Sequence, residues 1–308
     1  MIYRVISLSI FTLFSINVAL AGARFASYNI RNYGSKGGKH HKAITLEQEK
    51  TNNRKLAQIL KTTSATLLGV QEIVDATKFK KFITNNFSQY SAVFSKCGGR
   101  GRQKLGFIYN KNELELLSFR EDNRVSMNKG CRSGLRPAFI GKFKHVRTQK
   151  TFTALNFHLK AGGRLSNVLK RKDQYKIIST LIKEIRKKGS KNLVLFGDFN
   201  TTNYNLRNEH YQTFINFVQN NRLTDFAESL NCSSYWWGGV RDGLEYPSLL
   251  DHVMMSQEMK DLLGKKAKAQ VLSHCQKSFC EATTARELGT SFKSVSDHCP
   301  VAVEFSKI

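Results

Sequence analysis

Apolar residues follow two spacings along this chain. Short extended runs predict strands at Arg24–Ile30, Thr66–Gln71, Leu105–Tyr109, Glu113–Phe119, Pro137–Phe143, Thr151–His158, Asn192–Phe196, Asp251–Ser256 and Pro300–Phe305. Helical spacing sets Leu56, Ile59 and Leu60 on one face of Asn52–Lys61. It also aligns Val168, Tyr175, Ile178, Ile182 and Ile185 in a long helix that Ser166 is expected to cap. That stripe reads as core packing. Helices interleaved with so many strands predict an α/β fold whose sheet is too large for a single open layer.

The N-terminus follows a different pattern. Arg4 precedes an apolar stretch, Val5 to Ala21, and small residues at Ala19, Ala21 and Ala23 fit a signal peptide cleaved after Ala21 or Ala23. The stretch is short for a membrane span and no second span follows, so export without stable membrane insertion is expected. With three prolines and no low-complexity linker, residues 22–308 are expected to form one catalytic domain and a monomer. Six cysteines in an exported chain favour disulfides, and Cys275 with Cys280 is the first bridge expected. No Cys-x-x-Cys pair supports a metal site.

Lys and Arg total 49 against 23 Asp and Glu, a net charge of +26. Basic clusters recur at Lys36–Lys42, Arg164–Lys172, Arg186–Lys191 and Lys265–Lys268. A field of that size concentrates polyanions, of which nucleic acid, DNA or RNA, is the commonest; lipopolysaccharide and an anionic membrane are the other candidates.

Polar groups gather where the predicted strands end: Asn29, Glu72, His158, Asp198 with Asn200, Asp251 with His252, and Asp297 with His298. Alternation along an extended backbone is expected to put Asp198 and Asn200 on one side. Together the set holds carboxylates for a cation, groups to polarise water, donors for a phosphorane and a proton for a leaving oxygen. Phosphodiester hydrolysis needs all four.

Six fragments carry a resemblance: Ser27-Tyr28-Asn29-Ile30, Val70-Gln71-Glu72, Asn156-Phe157-His158-Leu159, Gly197-Asp198-Phe199-Asn200, Leu250-Asp251-His252-Val253 and Ser296-Asp297-His298-Cys299-Pro300-Val301. In this order they resemble the endonuclease/exonuclease/phosphatase superfamily, which includes the pancreatic-type deoxyribonucleases. The resemblance implies a four-layer α/β/β/α sandwich with its site in a cleft at the upper edges of two sheets. It implies Glu72 as principal ligand of a divalent metal, Mg²⁺ with Mn²⁺ or Ca²⁺ as alternatives, with Asn29 and Asp297 beside it. Asp198 would orient the attacking water and Asn200 donate to a phosphate oxygen. His298 would bind phosphate or act as base, supported by Asp251; His158 would act near the leaving oxygen, and Arg136 would contact phosphate.

In pancreatic-type enzymes an acid on the strand matching Leu105–Tyr109 supports the histidine matched by His158. Here no Asp or Glu lies between Asp75 and Glu113, and Gln103 or Lys104 occupies the neighbourhood. The expected activity is a secreted, metal-dependent nuclease acting on nucleic acid, double-stranded DNA first and RNA as an alternative. The chain is placed in a bacterial secreted branch, partly because a glycan at the Asn200-Thr201-Thr202 acceptor pattern would block the cleft. The rival readings are a sphingomyelinase-like phosphodiesterase and an inactive nucleic-acid-binding protein. Trp236 and Trp237 are expected to pack at a sheet edge; in the lipid reading they would dip into a membrane.

Overall fold

The computed structural model describes residues 22–37, 50–128, 130–264 and 266–305. The expected signal segment, residues 38–42 of the first basic cluster and Lys265 lie outside them.

The first half runs β1 (Arg24–Tyr33), α1 (Asn53–Thr63), β2 (Leu67–Ile73), α2 (Ala76–Asn86), β3 (Tyr90–Phe94) and β4 (Lys104–Asn110). Then come β5 (Leu114–Asp122), β6 (Ala138–His145), β7 (Thr151–His158), α3 (Leu165–Lys187), β8 (Leu193–Asp198), α4 (Glu209–Asn220) and β9 (Leu223–Asp225). The last part holds β10 (Ser234–Trp236), β11 (Leu244–Ser248), β12 (Asp251–Ser256), α5 (Gln257–Leu263) and β13 (Ala267–Val271). It closes with α6 (Ser273–Lys277), β14 (Thr283–Thr284), α7 (Ala285–Ser294) and β15 (Val301–Phe305). Two six-stranded sheets form, ordered β13-β15-β1-β2-β4-β3 and β5-β6-β7-β8-β12-β9, with a small β10-β11-β14 sheet beside them.

Alternation explains the layers. In β1, Ala26, Tyr28 and Ile30 face α1 and α2, packing with Leu56, Ile59, Phe79 and Ile83. Phe25 faces the other way, stacking with Phe196 of β8 at 6.4 Å between ring centroids. Phe107 likewise meets Phe139 and Phe196 across the gap between the sheets. Gly69 of β2 is required there, because an added Cβ would lie 2.7 Å from the Phe196 Cβ. On the far side Tyr175 of α3 stacks on Phe217 of α4, while Ile178, Leu181 and Ile182 of α3 join the core. The result is the expected α/β/β/α sandwich. Helix α3 begins at Leu165 with Arg164 at its cap position and no side-chain cap bond, so Ser166 does not open it.

Directionality then fixes the site. Strands β1 and β2 are parallel, so their C-terminal ends share one edge of their sheet. Strand β15 is antiparallel to β1, which brings its entry segment, Asp297 and His298, to the same edge. In the other sheet β7 and β8 are parallel and end level, His158 opposite Asp198. Antiparallel β12 starts there, Asp251 opposite Asp198. Six strand ends that are far apart in sequence thus converge at one mouth of the inter-sheet space.

Three disulfides join Cys97–Cys131, Cys232–Cys280 and Cys275–Cys299. The expected Cys275–Cys280 bridge is absent. Cys275 sits at the middle of α6 with its N–H on the Cys299 sulfur, so tertiary packing selects a partner 24 residues away over one five residues away. Three bridges fit an oxidising compartment. No described helix is long and apolar enough to cross a membrane.

Candidate active site

Inward-facing positions supply most of the site. Phe196 points between the sheets, so Asp198, two residues on, points the same way at the mouth. Gly197 has φ 151°, and a Cβ there would lie 2.3 Å from the Phe157 carbonyl oxygen, so glycine permits β7 to approach Asp198 closely. Glu72 has the opposite problem. Strict alternation would place it with Val70 on the helical face of β2. A register shift between Val70 and Ile73 and a left-handed backbone (φ 62°) at Glu72 turn its carboxylate to the mouth instead. The Asn32 N–H holds Glu72 Oε2 at 3.0 Å.

Asn29 joins the acids: its Nδ2 donates to Glu72 Oε1 at 3.2 Å and to Asp198 Oδ2 at 3.1 Å. His158 Nε2 lies 3.4 Å from Asp198 Oδ2 and 3.7 Å from Glu72 Oε1. His298 Nδ1 pairs with Asp251 Oδ2 at 2.7 Å, leaving Nε2 3.9 Å from Asp198 Oδ2. Two buried acids directly opposite each other in a sheet repel and destabilise it, a cost expected at a functional site rather than in a core.

Electrostatics separates the two histidines. Burial works against a charge on His298, but the charge and hydrogen bond of Asp251, with the charges of Asp198 and Asp297, outweigh it and hold the imidazole well above its ordinary range. Burial, then the charges of Arg136, His298 and Lys160, hold His158 well below that range, so it is neutral. Burial also pushes Asp198 up to about 7, reinforced by Asp251 and Glu72 and opposed by His298 and the Asn200 N–H.

Several expectations change in detail. Asn200 does not continue the strand: β8 ends at Asp198, and Asn200 takes a left-handed turn (φ 51°) that puts its N–H on Asp198 Oδ1. Its side chain donates to the Leu159 carbonyl at 3.3 Å. At 5% exposure it presents no face for a glycan, so the acceptor pattern carries no information about the host. His252, one residue beyond Asp251, points to the opposite face. Its Nδ1 pairs with Asp225 at 2.8 Å and Nε2 with the Thr201 hydroxyl, fully buried against Phe214, and it takes no part in the site. Arg136 is buried, and its guanidinium donates to the carbonyls of His158 and Leu159 behind the acids. Asp297 turns its carboxylate to Arg31, 3.6 Å away. Trp236 and Trp237 do not pack at a sheet edge; they stand half exposed.

The absent supporting acid leaves its trace. His158 Nδ1 is buried without a partner, while Gln103 donates to Asn32 instead. Residues to which the sequence assigned no role include Ser233, whose Oγ donates to Asp251 Oδ2 at 2.8 Å, and Ser296, which ties the Asn29 carbonyl to the His298 N–H. Asn156 and Gln71 bridge the sheets below the site, Asn156 Nδ2 donating to the Val70 and Gly106 carbonyls. Serines and amides are too common for spacing to have revealed them.

Metal-binding capacity follows from the same atoms. Asp198, Asp251 and His298 offer ligand atoms within 4.8 Å of one another, and Asp251 Oδ1 is a buried carboxylate oxygen without a partner. With His298 held protonated, the oxygens of Asp198, Asp251, Glu72 and Asn29 are the ones that could face a hard divalent cation. The equally compact His274, Cys275 and Cys299 have both sulfurs in a disulfide and offer no thiolate.

The fold is the two-sheet sandwich on which phosphoester hydrolases are built. The chain belongs to the Endonuclease/Exonuclease/phosphatase family, whose model matches residues 26–298. Members act on phosphoester bonds and generally depend on divalent metal. Among similar structures is a family member from Bacteroides thetaiotaomicron: 19% identity, TM-score 0.60, covering 92% of this chain and 94% of that one. The human Nocturnin catalytic domain with bound sulfate matches at 14% and 0.60, covering 94% and 96%. D. rerio TDP2 complexed with single strand DNA product matches at 14% and 0.59, covering 92% and 99%. No curated protein sequence matches this chain.

Proposed function

We propose that this protein is a secreted, divalent-metal-dependent nuclease that hydrolyses phosphodiester bonds of DNA, with RNA as a second substrate and little sequence preference. The observation that carries the reading is a buried acid–histidine cluster set in a chain of charge +26. That excess supports a polyanionic substrate over a small phosphomonoester, and a lipid enzyme has no comparable need for it. The expected signal segment and the three disulfides support export; the proposed form is a bacterial monomer built on residues 22–308.

Glu72 and Asn29, with Asp297 next to Arg31, would hold Mg²⁺. The cation would supply charge for the developing phosphorane. Asp198 takes the proton of the attacking water at Oδ2; a base poised near the working pH is the most effective one. Water oxygen bonds to phosphorus as the opposite P–O bond breaks, and the leaving oxygen, held by a hydrogen bond from His158 Nε2, takes its proton from solvent water. His298, kept charged by Asp251, donates through Nε2 to a phosphate oxygen. Neutral His158 donates its Nε2 hydrogen rather than acting as a strong acid. Arg136 balances the charge of the acids from behind and steadies the end of β7; its Nη1, not used on those carbonyls, would contact phosphate, as would the Asn200 side chain once released from the Leu159 carbonyl.

Supercoiled plasmid incubated with Mg²⁺ should relax and then fragment, and chelator should stop it. Glu72→Ala should lose at least about 10²–10³-fold in rate with folding intact. Cutting by Glu72→Ala at the wild-type rate would remove the mechanism. Absence of plasmid cutting together with hydrolysis of a small phosphomonoester would replace the nuclease reading with a phosphatase.

A further inference from the structure

The β10–β11 hairpin carries two exposed aromatics next to the catalytic histidine. Ser234 and His298 pair antiparallel. Hydrogen bonds from Tyr235 N to the Asp297 carbonyl and from Cys299 N to the Ser233 carbonyl flank that pair. Ser234 and His298 are therefore a close, non-hydrogen-bonded pair whose side chains share one face. Alternation returns Trp236 to the face of Ser234, about 7 Å farther along the strand, while Tyr235 turns inward to Ser278 and the Glu281 carbonyl. Trp236 thus stands on the catalytic face within one nucleotide's reach of His298. It is 49% exposed, with Trp237 at 54% set edge-on to it, ring centroids 6.3 Å apart.

A large flat ring left in solvent beside an active site has lost hydrophobic stabilisation that inward packing would have given it. Charges of both signs surround it, Arg241 with Asp242 at the hairpin tip and Arg31 with Asp297 at the same strand entry, so the attraction for a polyanion comes from the chain's net charge of +26. Positive charge with an aromatic face is the combination that binds single-stranded nucleic acid, the backbone held by charge and a base by stacking.

Resting on the nuclease reading above, we infer that Trp236 stacks on the nucleobase adjoining the scissile phosphate, so that the enzyme cuts fastest where that base is unpaired. A paired base keeps both faces in its own helix and offers none to Trp236. Cleavage of duplex DNA would then begin at ends, nicks and melted segments.

The test uses the full mature chain with Mg²⁺ and a labelled single-stranded oligonucleotide, intact or with abasic sites flanking the main cut. Trp236→Ala should lose about ten-fold in kcat/KM on the intact strand, mainly through KM. Trp236→Phe should recover most of that loss. On the abasic strand wild type and Trp236→Ala should converge. Equal kcat/KM for wild type and Trp236→Ala on the intact strand would overturn the inference while leaving the nuclease reading standing. Failure of the wild type to cut any oligonucleotide, with hydrolysis of a phosphomonoester retained, would overturn the nuclease reading itself. Loss of binding to phosphatidylglycerol vesicles by Trp236→Ala, without change on the oligonucleotide, would overturn stacking and make the hairpin a membrane contact.

Discussion

The two six-stranded sheets bury Phe25, Phe107, Phe139, Phe143 and Phe196 between them, with helices sealing both outer faces. The lobe of β10, β11, β14, α6 and α7 gathers far less: Tyr235, Leu288 and Phe292 around the Cys232–Cys280 and Cys275–Cys299 disulfides. A layer with that little apolar burial does not hold itself together by the hydrophobic effect, and covalent links take over. The division matters because the site straddles it. Glu72, Asn29, Asp198, Asp251 and His158 stand on the sandwich, whereas His298 precedes Cys299 and pairs with Ser234 of the lobe. Most of the acids are thus carried by the sandwich and His298 by the stapled region.

Breaking the staple gives the largest effect. Cys275→Ser with Cys299→Ser removes a link spanning 24 residues, which stabilises by roughly 3 kcal/mol in the chain-entropy account. Melting temperature should drop by several degrees, and nuclease activity should fall steeply at temperatures where the sandwich remains folded, since His298 loses its anchor. Circular dichroism and plasmid nicking measured along one temperature ramp would check this. Activity and sandwich structure lost together would mean that the two regions form a single cooperative unit.

A subtler change tests the electrical link between the regions. Asp251 holds His298 well above its ordinary range, so the imidazole stays charged as pH rises through neutrality. Activity should rise with pH as Asp198 ionises and fall when His298 loses its proton. Asp251→Asn removes the charge that sustains His298, so the alkaline decline should move to lower pH, with roughly a ten-fold loss at pH 8. An alkaline limb unmoved by Asp251→Asn would show that His298 is not the group that titrates there.

The two regions also differ in how far they can be read from the chain. Strand ends on the sandwich were legible because alternation and glycine-acid-amide punctuation are local signals: His158, Asp198 and Asp251 fall where the pattern expects them, whereas β1 continues past Asn29 to Tyr33. Glu72 was legible as a position but not as a conformation, since its orientation depends on a bulge against β4. The Asn200 turn and the inward course of Arg136 depend on carbonyls after β7 that no local pattern encodes. In the lobe little was legible. Proximity favoured Cys275–Cys280, but α6 carries Cys275 against Cys299, a pairing set by the long-range placement of the segment before β15. Trp236 and Trp237 read as packing because apolar residues usually are; their exposure follows from the Ser234–His298 pairing, which is a long-range contact.

Ser233 offers the finest probe of the joint, because a single oxygen serves both regions. It lies just before β10, accepts the N–H groups of Leu250 and Asp251 at 2.9 Å, and donates to Asp251 Oδ2. Asp251 Oδ1 has no partner of its own, so Oδ2 carries the whole hydrogen-bonded support of that carboxylate, shared between Ser233 and His298. Ser233→Ala leaves one buried and one partly buried N–H group and part of a carboxylate unsatisfied, a loss of about 1–3 kcal/mol in stability. Its effect on rate should be smaller, a few-fold, because the 2.7 Å Asp251–His298 bond persists. With one donor fewer, Asp251 carries a less dispersed charge and attracts the His298 proton more strongly. The alkaline decline should therefore move slightly upward, opposite in sign to Asp251→Asn. Opposed shifts from two substitutions on either side of one hydrogen bond would locate the coupling between lobe and sandwich at this contact; shifts of the same sign would place it elsewhere.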